Sequence, residues 1–268
     1  MIRILAEIIS RKVHALQRRR QVDAIARKHR PGISRFFRSQ KKIVLEELNK
    51  HKHLFAESYK IIVEDVTQFT VNNFDLIWAQ IEADTTPELQ RLITQIEADA
   101  LVKGSGMAAK TVGKAGFSFD LANPRAVEWF SQHAGSTQYI GGIQRTTQNQ
   151  IANIIKGAID SGQSYGKTAT QISQRFDGFS RQRAQLIATH ESAQAYEAGS
   201  YLAESQMVDD GIVLEKKWEN SQDEKVSDGC KENTAAGWIP FNQPFPSGQQ
   251  HPPRFVQCRC YHIVREKK

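Results

Sequence analysis

The chain has 268 residues, 40% of them hydrophobic, which is enough for one large domain or two smaller ones. Its mean hydropathy of -0.51 excludes a typical membrane protein, and no stretch approaches the roughly 20 apolar residues that span a bilayer. The net charge of +7 is uneven, because residues 1–60 hold 16 Lys and Arg against 5 Asp and Glu, while the remainder is mildly acidic.

The N-terminal segment predicts an amphipathic basic helix. Ile2, Leu5 and Ile9 recur at helical spacing, and we expect the helix to end before Arg30–Gly32. Such a basic segment can bind the phosphates of double-stranded DNA without sequence specificity; the alternatives are a solvated face or a surface for an acidic protein partner. The candidate contact residues are Arg11, Lys12, Arg18, Arg19, Arg20, Arg27, Lys28, Lys41 and Lys42.

The next segments predict more helices and a break. Helical periodicity continues to about Asp84 and restarts at Thr86 and Pro87, whereas the glycine-rich stretch Lys103–Gly116 is typical of a flexible linker. We therefore divide the chain into a basic helical region, a linker and a terminal domain made of helices followed by a lobe. Their bounds are 1–103, 104–122 and 123–268, with the helices at 123–205 and the lobe at 206–268.

The terminal domain predicts helices first and a strand afterwards. Asn123 is a helix cap, Gly162 ends a later helix, and Ser180 caps a long one. "GIVLEKKWEN" fits a strand, and the last forty residues hold five of the eight prolines. The predicted fold class is α+β, with mostly helical N-terminal and middle regions and a small loop-rich α+β C-terminal lobe.

The three cysteines suggest a structural metal site. Glu7 and Arg11 interrupt any secretory signal, so we expect synthesis in the cytoplasm, where thiols stay reduced. If the chain is extended there, Cys258 and Cys260 face the same way, and Cys230 and His251 complete a Cys3His zinc set; His262 is a possible substitute. The alternatives are that the cysteines pack as small hydrophobes or that two of them form a disulfide.

No set of residues predicts an active site. His190-Glu191 begins like a zinc-binding HExxH helix, but Gln194 stands where the second histidine would be. We therefore expect a protein that is not an enzyme.

The order of motifs in the second half resembles a known family. "RAQLIATHESAQAYEAGS" is followed by "KKWENSQDEKVSDGC", "GWIPFNQPF" and "HPPRFVQCRC". This series is similar to the phage Mu F-like head morphogenesis family, and the resemblance covers about residues 123–263. Its most specific matches outside the ligand set are Glu191, Trp218, Asp223 and Arg259, whereas Thr189, His190 and Ser227 depart from the family pattern.

The resemblance implies a minor structural protein of a tailed-phage or prophage head. It would associate with the portal protein during procapsid assembly in the host bacterial cytoplasm. It would then lie in the virion interior near the portal vertex, close to packaged DNA, with scaffold or capsid proteins as further partners. The resemblance carries no catalytic residues.

Two alternatives come from other classes of protein. One is a zinc-stabilised nucleic-acid-binding protein that has no part in virions. The other is an effector enzyme of ADP-ribosyltransferase-like type, since proteins of this family are sometimes fused to toxin domains. Because the sequence ends soon after the CRC motif, we expect no appended toxin domain here.

Overall fold

A computed structural model describes residues 2–52, 63–113, 119–133 and 137–267. Within those residues the chain forms six helices and one three-stranded sheet, which confirms the predicted α+β class. The elements in chain order are α1 (Ile2–Lys50), α2 (Val63–Val112), α3 (Pro124–His133), α4 (Thr137–Asp160), α5 (Tyr165–Asp209), β1 (Leu214–Glu219), α6 (Asp228–Ala235), β2 (Trp238–Pro240) and β3 (Tyr261–Glu266). Among the helices so described, none is both long and apolar enough to cross a bilayer.

Helices α1 and α2 continue through prolines at which the sequence predicted breaks. Pro31 lies inside α1 and Pro87 inside α2, so the expected end before Arg30–Gly32 and the restart at Thr86 are both wrong. A proline inside a helix costs about 3 kcal/mol, but burying one large apolar side chain contributes about 1.5–3 kcal/mol. After Pro31 the buried Ile33, Phe36 and Phe37 continue the apolar face of α1, and this burial outweighs the missing hydrogen bond.

The predicted linker is helical as far as Val112, because its small residues let two helices approach closely. A Cβ atom on Gly104 of α2 would lie 1.9 Å from the carbonyl oxygen of Tyr196 in α5. One on Gly199 of α5 would lie 2.1 Å from the carbonyl oxygen of Leu101 in α2. The glycines thus serve helix packing here and not chain flexibility, contrary to our expectation for residues 104–112. The division of the chain into three regions stays a prediction.

Two of the three predicted boundary signals in the terminal domain are confirmed. The Oδ1 atom of Asn123 accepts a hydrogen bond from the Arg125 N–H at 3.0 Å, and Gly162 follows α4 with φ +63°. Ser180 is not a cap. It lies buried inside the continuous helix α5, and its hydroxyl donates to the Phe176 carbonyl.

The chain divides into two compact units whose limits fall within α1, α2 and α5. The first unit contains Met1–His29, Thr94–Ala134 and Leu186–Lys268, and the second contains Arg30–Ile93 and Gly135–Gln185.

The second unit is helical, with an aromatic core and a few buried polar contacts. The guanidinium of Arg183 lies 4.8 Å from the ring centre of Phe37 and 5.1 Å from that of Phe179. It also donates to Thr147 at 2.6 Å, and its burial lowers the pKa of Arg183 to about 10. The buried Gln40 side chain donates to Gln144 at 2.5 Å. These contacts satisfy polar groups that the helices bury.

The first unit carries the sheet, whose strand order is β2-β1-β3 with antiparallel pairing. The predicted strand is confirmed as β1, in which Leu214, Lys216 and Trp218 alternate as fully buried residues. Trp218 pairs with His262 across β1 and β3. Beside the strand, a buried cluster closes the small lobe; its members are Trp218, Val226, Cys230, Ile239, Phe245, Cys258 and Cys260.

Candidate metal centre

Three buried cysteines meet in the terminal lobe. Cys230 lies in the first turn of α6, while Cys258 and Cys260 lie in the segment before β3. Their three sulfur atoms all lie within 4.8 Å of one another, and the Sγ atoms of Cys230 and Cys258 are 3.9 Å apart. Two sulfurs bound to one tetrahedral zinc at about 2.3 Å would be about 3.8 Å apart. The spacing therefore fits three corners of a zinc tetrahedron.

The protonation of two of the cysteines is coupled, and this coupling favours the thiolate at Cys258 and disfavours it at Cys260. The Cys260 thiol donates to Cys258 and lowers the pKa of Cys258 to about 5, and the same contact raises the pKa of Cys260. All three cysteines are free thiols. A thiolate in place before the metal arrives is the form that binds zinc.

His251 is not the fourth ligand, contrary to our expectation. Its Nδ1 atom lies 2.6 Å from the Pro252 carbonyl oxygen, and its ring packs at 5.1 Å from the Tyr201 ring. Burial lowers the pKa of His251 to about 4. Across the described part of the chain, the cysteines are the one group of three or more potential ligands close enough to share an ion. The His251 ring instead contacts the aromatic ring of Tyr201.

The possible substitute, His262, belongs to a buried ion cluster that the sequence did not predict. Its Nδ1 atom lies 2.8 Å from Glu197 and its Nε2 atom 2.7 Å from Glu204. Arg18 of α1 pairs with the other oxygen of Glu197. The one available signal was the spacing of Glu197 and Glu204, which lie seven residues apart and so share a face of α5.

The charged groups of this cluster shift one another's pKa values. Burial opposes the charged form of His262, but the carboxylates of Glu204 and Glu197 outweigh it and raise the pKa of His262 to about 10. Burial also opposes ionisation of Glu197, but Arg18 and His262 lower its pKa to about 2. His262 and Glu197 therefore remain ionised at neutral pH, whereas burial raises the pKa of Glu204. The contacts of the cluster link α1, α5 and β3 in the first unit.

Two of the four family-motif residues lie in the core and two on the surface. Glu191 is buried in α5 near Glu97, and burial raises the pKa of Glu191 to about 7. Trp218 packs edge-on against Phe245, with ring centres 5.1 Å apart. Arg259 forms an exposed ion pair with Asp223 at 2.6 Å, which joins the turn after β1 to the cysteine segment. Trp218, Asp223 and Arg259 thus lie within the lobe, whereas Glu191 lies in α5.

The basic residues predicted to contact DNA or a partner divide into several environments. Lys12, Arg19, Arg20 and Arg27 are exposed on α1, and the Arg11 side chain lies outside the described residues. Four of the cations form ion pairs on the surface: Arg19 with Asp23, Lys28 with Asp99, Lys41 with Asp177 and Lys42 with Glu46.

Arg18 is different because it is only 6% exposed, which removes it from the exposed basic face. We define that face by the four exposed residues Lys12, Arg19, Arg20 and Arg27.

The helices, the small antiparallel sheet and the clustered cysteines define a class of mostly helical protein with a compact terminal lobe. Residues 149–263 match the family model described as "Phage Mu protein F like protein", so this part of the chain is similar to that family. The match confirms the resemblance inferred from the motifs. Neither a curated protein nor a solved structure matches the chain significantly.

Proposed function

We propose that the chain is a minor structural protein of a tailed-phage or prophage head that associates with the portal protein during assembly. The family match over residues 149–263 carries this proposal. The small lobe supports it, because Trp218 and the three cysteines share one buried cluster that would hold the lobe together as a docking module. The protein would act by binding and not by catalysis.

Portal association is tested by co-sedimentation of the full chain with the portal ring encoded by the same phage or prophage. We expect the chain to sediment with the ring at physiological salt. If it stays in the supernatant over a range of salt concentrations and ratios, the portal role is wrong.

We also propose that the exposed basic face contacts packaged double-stranded DNA without sequence specificity. Lys12, Arg19, Arg20 and Arg27 supply the positive charge on one part of α1. Deleting α1 is a poor test, because Arg18 of this helix pairs with the buried Glu197 and its loss would disturb the fold. Charge reversal of exposed residues is therefore the appropriate change.

A structural zinc ion is the third part of the proposal. The thiolates of Cys230, Cys258 and Cys260 would hold it and tie α6 to the segment before β3. The zinc would contribute to the folding free energy of the lobe, because the unfolded chain has no preformed site.

The alternative of an enzyme is tested by direct assay. We expect no nuclease turnover and no consumption of NAD by the pure protein. Turnover that disappears in Glu191→Ala, in a variant that still folds, would replace the structural role with a catalytic one.

A further inference from the structure

A large cleft lies within the first unit, beside the exposed basic face. Its volume is about 770 Å³. One wall is α1, with Lys12 and Arg19, and the opposite walls are the turn after β1 and the segment that carries Arg259 and Tyr261. The volume falls in the range of ligand-binding clefts, about 300–1,000 Å³.

Four basic residues, Lys12, Arg18, Arg19 and Arg259, line the cleft together with two carboxylates, Asp23 and Glu219. The Glu219 carboxylate is paired with Lys217 at 2.9 Å, and the Arg18 guanidinium is paired with Glu197. Lys12 forms no ion pair with any described residue, and Arg19 reaches Asp23 only at 3.8 Å with 80% of its side chain exposed. Long exposed pairs of this kind are weak. An acidic ligand would therefore meet cations on the α1 wall.

The same wall is also apolar between its cations. Ala15 and Val22 line the cleft. Leu16, which lies four residues after Lys12 and three before Arg19, is 54% exposed on α1 but does not line the cleft. Lys12 and Arg19 are seven residues apart, about 10.5 Å along the axis at 1.5 Å per residue. This pattern matches a second helix that carries acidic residues seven apart and apolar residues between them.

We propose that this cleft is a docking site for an acidic amphipathic helix of the assembly partner. The inference rests on the proposed portal association and names the chemistry of the contact. The partner's carboxylates would pair with Lys12 and Arg19, and its apolar residues would contact Ala15 and the Tyr261 ring, which also line the cleft. DNA fits the cleft less well, because Ala15 separates the two cations on its α1 wall; Lys12 and Arg19 are available to contact DNA when no partner helix occupies the cleft.

The test compares two double variants of the full chain. Lys12→Glu with Arg19→Glu reverses the cleft wall. Arg20→Glu with Arg27→Glu makes the same change in net charge on the same helix but outside the cleft. Both pairs are exposed, so circular dichroism should report unchanged folding. Binding is measured to the portal ring by co-sedimentation, to an array of overlapping portal peptides, and to a DNA duplex by anisotropy.

We expect the cleft variant to bind the portal ring about tenfold more weakly or worse, with the control close to the wild type. The peptides captured by the wild type should be acidic and amphipathic, and the cleft variant should lose them.

Equal loss in both variants, undiminished ring binding by the cleft variant, or capture of only basic or neutral peptides would overturn the docking site while leaving portal association intact. Loss of duplex binding alone in the cleft variant would assign the cleft to DNA and overturn the proposal. Failure of the wild type to bind the ring would instead overturn portal association and the docking site with it.

Discussion

Glu97 is a buried acid without a compensating charge. It is 3% exposed, and its Oε2 atom has no hydrogen-bond partner. Burial, together with the negative charge of Glu191, raises the pKa of Glu97 to about 9. The folded protein therefore holds a proton on Glu97 at neutral pH that the unfolded chain releases.

The Glu97 side chain should weaken folding as the pH rises. A raised carboxyl pKa contributes stability that is present below the unfolded pKa of about 4.5 and lost as the pH approaches 9. The free energy of unfolding should therefore fall with pH in the wild type, and Glu97 should account for about 1.4 kcal/mol per pH unit of that fall. Glu97→Gln should remove this part of the pH dependence and leave stability nearly unchanged near pH 4.5. Urea unfolding at several pH values measures the effect. Parallel curves for the variant and the wild type between pH 5 and 9 would contradict it.

His262 should also lose its contribution to stability as the pH rises, because its buried carboxylate partners raise its pKa. Its pKa is raised to about 10, so its contribution is fully present below about 6.5 and is lost as the pH rises toward 10. His262→Gln leaves Glu197 and Glu204 without their shared partner and should destabilise the chain by about 3–5 kcal/mol at pH 6. The difference from the wild type should shrink between pH 6.5 and 10 in thermal unfolding. A difference that does not depend on pH would show that His262 acts through packing alone.

At the scale of elements, the close approach of α2 and α5 depends on two glycines. Gly104→Ala should destabilise the protein by several kcal/mol, because the new Cβ would overlap the Tyr196 carbonyl and force the helices apart. Gly106→Ala is the matched control in the same helix, since a Cβ atom added there would meet no neighbouring atom within 4 Å. The control should stabilise by up to about 1 kcal/mol through helix propensity. Chemical denaturation compares the two, and equal effects would contradict the packing argument.

At the same scale, we expect the stability of the terminal lobe to depend on its cysteines. Protein purified without chelator should contain about one zinc per chain, and Cys258→Ser should lose most of it. Removing the metal should lower the melting temperature of the wild type and leave that variant unchanged. Elemental analysis and calorimetry measure both quantities. A negligible zinc content, with a Cys258→Ser variant as stable as the wild type, would leave the cysteines as a packed apolar cluster.

At the scale of the whole molecule, we expect the exposed basic face to contact DNA, as proposed above. If its four cations each neutralise one phosphate, the logarithm of duplex affinity should fall with the logarithm of salt concentration with a slope of about -3.6. Reversing the charge of Arg20 and Arg27 should reduce the size of the slope by about half. Anisotropy titrations over a range of salt concentrations measure it, and a slope near zero would exclude phosphate contacts.

The local pattern of the sequence determined much of the terminal domain. The caps at Asn123 and Gly162, strand β1 and the family motifs could be read directly, because each depends on residues that are neighbours in the chain. The convergence of Cys258 and Cys260 with Cys230 was also predicted.

Only the tertiary structure decided where buried charges are paired and where long helices continue. Arg18 pairs with Glu197, which lies 179 positions away in the sequence, so no local pattern predicts that contact. Helix α1 passes Pro31 because packing on both sides outweighs one missing hydrogen bond. His251 lies apart from the candidate metal centre, because the fold places its ring against Tyr201. Local sequence specifies periodicity and turns, whereas the free energy of a buried ion pair or a close helix contact depends on which distant residues fold around it.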